Sequence, residues 1–256
     1  MEKKTLLVAF STQKGGIGKS ALTVLMASHF HYVKGYNVGV IDCDYPQYSI
    51  VKMRERDIEI AGSVPYYKAK SYRQYKRLKK RNYPVECAPA PDAIEAAKKM
   101  IDNYEGGVPD IIFFDLPGTL NSEGVIHTIA SLDFIFSPIS ADRMVLRSTL
   151  EFAGMINDLI IKIQKGRLQG LHLLWNMVDA RENSDLYKAY EGAIGELGLS
   201  VLKNAIPDAK RYRHELPEVE APVFRCTVFP ADAKLRRGSM LNELADEIEE
   251  IIKIKK

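Results

Sequence analysis

A glycine-rich stretch carrying two lysines follows the first apolar run of the sequence. It reads Lys14-Gly15-Gly16-Ile17-Gly18-Lys19-Ser20-Ala21 and opens an apolar helical stretch. Glycines allow several backbone N–H groups to point at one polyphosphate, and a helix N-terminus adds the positive end of its dipole. In such a loop a lysine reaches the β- and γ-phosphates, and the hydroxyl that follows it ligates Mg²⁺. We therefore predict that residues 15–21 bind phosphate, with Lys19 as the cation and Ser20 as a metal ligand. A glycine-rich turn without a ligand is the alternative.

Acidic residues end two later apolar runs. Asp42 and Asp44 lie two positions apart, and Asp115 ends the run 111–115. Ligands of open α/β sheets bind beyond the carboxyl ends of the strands, and a period of two puts Asp42 and Asp44 on the same side if the strand continues. A turn-forming pair of aspartates is the alternative. An acid at the end of a buried strand is costly unless a cation or donors satisfy it. We therefore predict that Mg²⁺ satisfies Asp115 through water and that the Gly118 N–H meets the γ-phosphate.

The elements that must position these residues follow from hydrophobic periodicity. Short β-branched runs alternate with longer amphipathic stretches, which is the pattern of β-α units that feed a parallel sheet. We predict an α/β fold of the P-loop NTPase type, in three layers, with a mostly parallel twisted sheet flanked by helices on both faces. The expected strands are 5–11, 37–42, 110–115, 133–137, 170–178, 199–206 and 223–229. The expected helices are 18–33, 47–56, 91–103, 143–165, 184–197 and 239–253.

Length and composition predict one α/β domain over residues 1–256. The segment 57–90, with a basic, tyrosine-rich stretch from Tyr66 to Tyr83, interrupts the alternation and is interpreted as an elaboration of that domain. Three widely spaced cysteines indicate neither a disulfide framework nor a metal site. No apolar stretch reaches the roughly 18 residues that a membrane span needs. We expect a soluble, cytoplasmic protein.

The run from Lys14 to Ser20 resembles the deviant phosphate loop of the ParA/MinD ATPases. The strict pattern G-x-x-x-x-G-K-[ST] requires a glycine where this chain has Gln13, and an additional lysine stands at position 14. The resemblance implies ATP and ADP as ligands, Mg²⁺ as cofactor and slow hydrolysis that a partner stimulates. It also implies a homodimer that ATP closes, in which Lys14 reaches the phosphates of the partner subunit.

The stretch after the second strand is similar to the first switch of that family, D-x-D-P-Q. The match implies that Asp44 positions the attacking water or accepts its proton, and that Asp42 supports Mg²⁺ and its waters. Here Tyr45 separates Asp44 from Pro46, which is one residue more than the usual pattern.

Two later stretches carry the same resemblance toward the base. Asn176 corresponds to the family's asparagine that reads the adenine edge, since an amide donates and accepts at once. Pro207 and Asp208 resemble the loop that closes over the base, and plain strand ends are the alternative. No helix-turn-helix segment precedes the first strand, so the chain resembles the small stand-alone ParA proteins of plasmids, conjugative elements and chromosomes.

Three functions remain open, because function lies in surfaces that a fold carries. The first is a switch that partitions or positions DNA. Its ATP-bound dimer binds nonspecific DNA on the nucleoid, and a DNA-bound adaptor protein stimulates hydrolysis. The second is MinD-like cycling on a membrane. The third is a regulatory ATPase acting on a protein complex, or a small-molecule or protein-modifying enzyme on a related scaffold.

Two basic sets favour DNA, with a solvated face as the alternative. The first has no acid and is interleaved with Tyr72 and Tyr75, and the second lies in the C-terminal third. They comprise Lys68, Lys70, Arg73, Lys76, Arg77, Lys79, Lys80 and Arg81, and Lys203, Lys210, Arg211, Arg213, Arg225, Lys234, Arg236 and Arg237. The last predicted helix is apolar on one face and acidic on the remainder, so anionic lipid would repel it. We expect this helix to pack against the domain, so a membrane is the less favoured partner.

Overall fold

The strands that precede the glycine loop and the aspartates are neighbours in one sheet. The computed structural model describes residues 4–118, 124–158, 167–179, 181 and 184–254. Its strands are β1 (Leu6–Phe10), β2 (Val38–Asp42), β3 (Val85–Cys87), β4 (Ile111–Asp115), β5 (Phe134–Ile139), β6 (Gly170–Trp175) and β7 (Ser200–Val201). They pair in the order β3-β2-β4-β1-β5-β6-β7, and the paired strands run parallel. The predicted α/β fold is confirmed.

Helices connect these strands and follow the last of them. They are α1 (Lys19–His29), α2 (Ser49–Ser63), α3 (Pro65–Leu78), α4 (Ala93–Asp102), α5 (Val125–Ser131), α6 (Arg143–Ile156), α7 (Ser184–Glu196), α8 (Ala233–Arg236) and α9 (Leu241–Ile252). A π-helical turn continues α1 to Lys34, and Gly35 ends it with a φ of +84°. Such a left-handed C-terminal position favours glycine. None of the described helices is long and apolar enough to cross a membrane.

Strand residues alternate between two buried cores, one on each face of the sheet. Leu7 and Ala9 of β1 belong to a cluster that α4, α5 and α6 complete, whereas Val8 and Phe10 belong to a cluster with α1 and α9. Burying one such large side chain stabilises the fold by about 1.5–3 kcal/mol. Because both faces are covered, β1 and β4 are fixed in register and hold the loops at their carboxyl ends.

The last strand expectation was wrong. Residues 223–229 form no strand, although Val223, Cys226 and Phe229 are buried. The N–H and hydroxyl of Thr227 both donate to the buried carboxylate of Asp57 at 2.8 Å. A side chain therefore satisfies the backbone donor that a neighbouring strand would have used. The strand expected at 199–206 shortens to β7, and the helix expected at 143–165 is observed as α6, with residues 159–166 outside the described part.

The basic, tyrosine-rich segment forms α3 and the edge strand β3. Proline stands at the first helical position of α3, where no backbone donor is lost. The helix ends at Leu78, and Lys79, which follows it, adopts a left-handed conformation with a φ of 56°. The segment therefore supplies both an additional surface helix and one edge of the sheet.

Candidate functional site

A pocket of approximately 500 Å³ lies at the carboxyl edge of the sheet. It brings together the glycine loop, the loops after β2 and β4, the end of β6 and the segment 207–213. The predicted site residues in its wall are Gly15, Gly16, Gly18, Lys19, Ser20, Ala21, Asp44, Gly118, Asn176, Pro207 and Asp208. Lys14, Ile17, Asp42 and Asp115 are not among the residues that line it.

The glycine loop depends on backbone conformations that side chains disfavour. Gly16 has a φ of +76° and Gly18 a φ of +87°, in the left-handed region that glycine enters without steric cost. A Cβ at Gly18 would also lie 2.7 Å from Nδ2 of Asn176. The loop can therefore close against β6 only with glycine at position 18, and Lys19 then begins α1.

Asn176 joins the end of β6 to this loop. Its Nδ2 donates to the carbonyl oxygen of Ile17 at 2.7 Å, and the residue is only 5% exposed. Beyond it, the N–H of Val178 donates to Ile206 and the N–H of Asp208 donates to Val178, each at 2.9 Å. The end of β6 thus connects the phosphate loop to the segment predicted to cover the base.

The Lys19 amine lies at the centre of the predicted phosphate site. Its Nζ donates to the carbonyl oxygen of Lys14 at 3.0 Å, and a Cβ at Gly118 would lie 3.2 Å from it. Burial lowers the pKa of Lys19, while the nearby carboxylates of Asp115 and Asp44 act in the opposite direction. Glycine at position 118 therefore lets the loop after β4 approach the amine.

Asp42 and Asp44 take different directions. Because β2 ends at Asp42, the period-two argument for a shared side does not apply. One carboxylate oxygen of Asp42 accepts the N–H groups of Ile50 and Val51 at 2.8 and 3.1 Å, so Asp42 caps the first turn of α2. Burial raises the pKa of Asp42, and these backbone hydrogen bonds lower it. Asp44 lines the pocket instead.

Asp115 is a buried acid at the end of β4. Its exposed fraction is 0%, and neither carboxylate oxygen has a partner within the described part of the chain. Burial raises the pKa of Asp115 to about 7, against the opposing influence of Ser20 and Lys19. Leaving a charged group so unsatisfied is costly. An orphaned carboxylate close to Ser20 and Lys19 fits the predicted metal site, where a hydrated Mg²⁺ would satisfy it.

The pocket also contains residues that the motifs did not indicate. Tyr212 packs edge-on against Phe224, with ring centroids 4.9 Å apart, and its hydroxyl donates to the carbonyl oxygen of Ser239. Arg213 and Arg225 line the same wall, whereas the sequence grouped them with a DNA-binding set. The two arginines reach the pocket because of the conformation of residues 207–225, which no local sequence pattern predicts.

A parallel sheet with a glycine loop between β1 and α1, and an acid at the end of the adjacent β4, defines a P-loop nucleotide-binding protein. Residues 8–220 match the family described as CobQ/CobB/MinD/ParA nucleotide binding domain, and the chain belongs to this family. The predicted ParA/MinD resemblance is confirmed, and the matched range contains all the predicted site residues. No curated protein matches the sequence.

Three solved structures illustrate the similarity of the fold. The MinC:MinD cell division complex of Aquifex aeolicus has a TM-score of 0.61 at 14% identity, covering 98% of each chain. A putative plasmid partition protein of Borrelia burgdorferi bound to AMPPNP has a TM-score of 0.56 at 14% identity, over 94% of this chain and 98% of that one. Cobyrinic acid a,c-diamide synthase of Mycobacterium smegmatis, with an ATP analogue and magnesium, has a TM-score of 0.55 at 19% identity, over 95% and 93%. At these identities the similarity shows the fold alone.

Proposed function

We propose that the protein is an ATP-dependent, dimerising switch that partitions or positions DNA. The ATP-bound dimer binds DNA without sequence preference, and hydrolysis releases it. The main supporting observation is that the two lysines of the loop have different positions. Lys19 lines the pocket, whereas Lys14 does not. A lysine that its own site does not use is available to the phosphates of a second subunit, as an arginine finger is. Cations supplied in this way raise turnover by about 10³–10⁵.

The chemistry follows from the residues around Lys19. Lys19 and the N–H of Gly118 contact the β- and γ-phosphates, and Asp44 orients the attacking water. Ser20 would ligate Mg²⁺ and Asp115 would hold it through water, and the bound ion would neutralise charge on the phosphates. Asn176, Pro207 and Asp208 contact the base. Asp42 supports Mg²⁺ and its waters, and the same carboxylate fixes the start of α2.

A membrane-cycling function is less well supported. The apolar side of α9, formed by Leu241, Leu244 and Ile248, is buried in the core with at most 1% exposure. The predicted packing of this helix against the domain is therefore confirmed. A helix that binds a membrane surface needs its apolar face for the lipid.

The proposal is tested by sedimentation with double-stranded DNA of arbitrary sequence and, separately, with anionic liposomes, each in ATP and in ADP with Mg²⁺. We expect a dimer and DNA binding in ATP, weaker binding in ADP, and a steep loss with added salt. Equal DNA binding in ATP and in ADP would refute the hypothesis that the nucleotide controls DNA binding. Retention on liposomes in place of DNA would replace this proposal with the membrane one.

A further inference from the structure

Helix α3 is docked on the molecule by one face. The Tyr67 hydroxyl donates to the carbonyl oxygen of Val219 at 2.9 Å, and the Gln74 amide donates to that of Val228 at 2.9 Å. Lys70 pairs with Asp232 at 2.8 Å. These positions recur at helical spacing, so the inner face of α3 is fixed against the segment 219–232.

The outer face of α3 carries cations and aromatic rings. Lys68, Arg73 and Lys76 are exposed, and Tyr72 and Tyr75 are 59% and 53% exposed. The Nζ of Lys76 lies 4.7 Å from the centroid of the Tyr72 ring, close enough for a cation–π contact that holds both side chains on this face. Lys79 follows directly after the helix and is also exposed.

The charge of this face is not balanced by neighbouring acids. No acidic residue occurs between Glu59 and Glu86. Two carboxylates do approach this segment, but each pairs with a cation outside the outer face. Asp232 pairs with Lys70 and Glu105 pairs with Arg81. Within the described residues, the cations without an ion pair are Lys68, Arg73, Lys76, Arg77 and Lys79 on this segment. An ordinary solvated helix mixes both signs at i, i+4, so a one-signed face indicates an anionic partner.

The rest of the chain does not share this excess. Eight cations lie between Val64 and Pro84, whereas the formal net charge of the whole chain is +3, so the remainder is net negative. An anionic partner would therefore be attracted to this surface more strongly than to the remainder of the protein.

The second basic set is interleaved with acids, since Asp208, Glu215, Glu218, Glu220 and Asp232 lie between Lys203 and Arg237. The guanidinium of Arg211 donates to the carbonyl oxygens of Leu235 and Arg237, at 2.8 and 2.7 Å. Arg225 pairs with Glu215 and lines the pocket. Because acids lie among these cations, and two of the guanidinium groups are already used inside the structure, the second set lacks the one-signed face that α3 presents.

We propose that the outer face of α3, defined as Lys68, Tyr72, Arg73, Lys76 and Lys79, binds the phosphate backbone of double-stranded DNA. This inference rests on the proposed function and names the surface that performs its DNA-binding step. At 1.5 Å per residue, α3 is about 21 Å long, and duplex DNA presents one negative charge per about 1.7 Å of its axis. Several cations of the helix therefore meet phosphates at once, and the tyrosine hydroxyls donate to phosphate oxygens.

The same face is poorly suited to a bilayer. Membrane-surface helices insert apolar side chains between the lipids. In α3, Tyr67 is fully buried and Leu78 packs against the core, so the face opposite the protein offers tyrosines and cations, and its exposed aliphatic side chain is the single methyl group of Ala69. The observations thus favour a polyanion whose charges lie on its surface.

The test compares two triple variants of the full chain in ATP and Mg²⁺. One is Lys68→Gln/Arg73→Gln/Lys76→Gln. The matched control, Lys98→Gln/Lys99→Gln/Lys188→Gln, removes the same charge from α4 and α7. Fluorescence anisotropy with one labelled duplex of arbitrary sequence measures affinity across salt, and sedimentation measures dimer formation in parallel.

We expect the α3 variant to lose about tenfold or more in affinity, and the slope of log K against log salt to become about 2.7 shallower, whereas the control follows the unchanged chain. The single variant Lys76→Gln, expected to reduce the slope by about 0.9, keeps the test open if the triple variant folds poorly. If the unchanged chain binds DNA and the α3 variants bind equally well, the surface is refuted and the proposed function stands. Absence of DNA binding by the unchanged chain, or binding to anionic liposomes alone, overturns both.

Discussion

The amide nitrogen of Asn176 donates to the carbonyl oxygen of Ile17 at a distance of 2.7 Å. This hydrogen bond connects the end of β6 with the phosphate loop, although the two residues are 159 positions apart in sequence. The sequence indicated a contact with the base at this position. The structure adds a contact with the loop, so the two roles can be separated experimentally.

Replacing Asn176 with alanine should weaken the binding of inorganic tripolyphosphate as well as ATP. The buried carbonyl oxygen of Ile17 would lose its donor at a cost of about 1–3 kcal/mol, and the loop would no longer be held. Calorimetric titration of both ligands measures the effect. Asn204→Ala is the control, because Asn204 bonds Glu247 outside the pocket. An Asn176→Ala variant that loses only ATP affinity would assign the residue to the base alone.

Lys14→Ala should prevent ATP-dependent dimerisation while retaining some nucleotide binding, because Lys14 lies outside the pocket of its own subunit. Lys19→Ala should abolish nucleotide binding, since the amine is at the centre of that pocket. Analytical sedimentation with ATP and Mg²⁺, combined with nucleotide titration, separates the two variants. A Lys14→Ala dimer as stable as that of the unchanged chain would refute the assignment of this lysine to the partner subunit.

Asp44→Ala should trap the ATP-bound dimer, because the residue that orients the attacking water is removed while the phosphate contacts remain. Phosphate release and dimer lifetime are the measurements. Asp42→Ala serves as the comparison and should lower the free energy of unfolding by about 0.5–2 kcal/mol, since it removes the cap of α2. Unchanged hydrolysis in the Asp44 variant would exclude it from catalysis.

The site was predictable where a local pattern encodes it. A strand, a glycine loop and a helix follow each other in sequence, and their order alone fixes Lys19 and Ser20 at the edge of the sheet. The strand expected at 223–229 failed because its donor is taken by Asp57, which is 170 positions away from Thr227. The position of Tyr212 in the pocket was not predictable for the same reason. Long-range contacts, not local periodicity, determine the conformation of the segment that contains it. The short edge strand β3 is largely exposed and so has no hydrophobic pattern to reveal it.

The buried carboxyl of Asp115 predicts a pH dependence of stability in the absence of nucleotide and metal. Its pKa is about 7 in the folded chain against an ordinary value of 3.8, so between these pH values the folded state keeps a proton that the unfolded state has released. The contribution of this group is therefore present below about pH 4 and is lost as the pH rises through about 7. The side chain in Asp115→Asn cannot ionise. As the pH rises through this range, the free energy of unfolding of the variant, measured with urea, should therefore increase relative to that of the unchanged chain.

The exposed Asp185→Asn is the control for that measurement, because its side chain is 78% exposed and its substitution should leave the pH profile of the unchanged chain in place. Parallel profiles for Asp115→Asn and the unchanged chain would show that the carboxyl ionises freely. In that case Asp115 would carry no desolvation penalty for a metal ion to relieve, and the main physical reason for assigning it to Mg²⁺ would be lost.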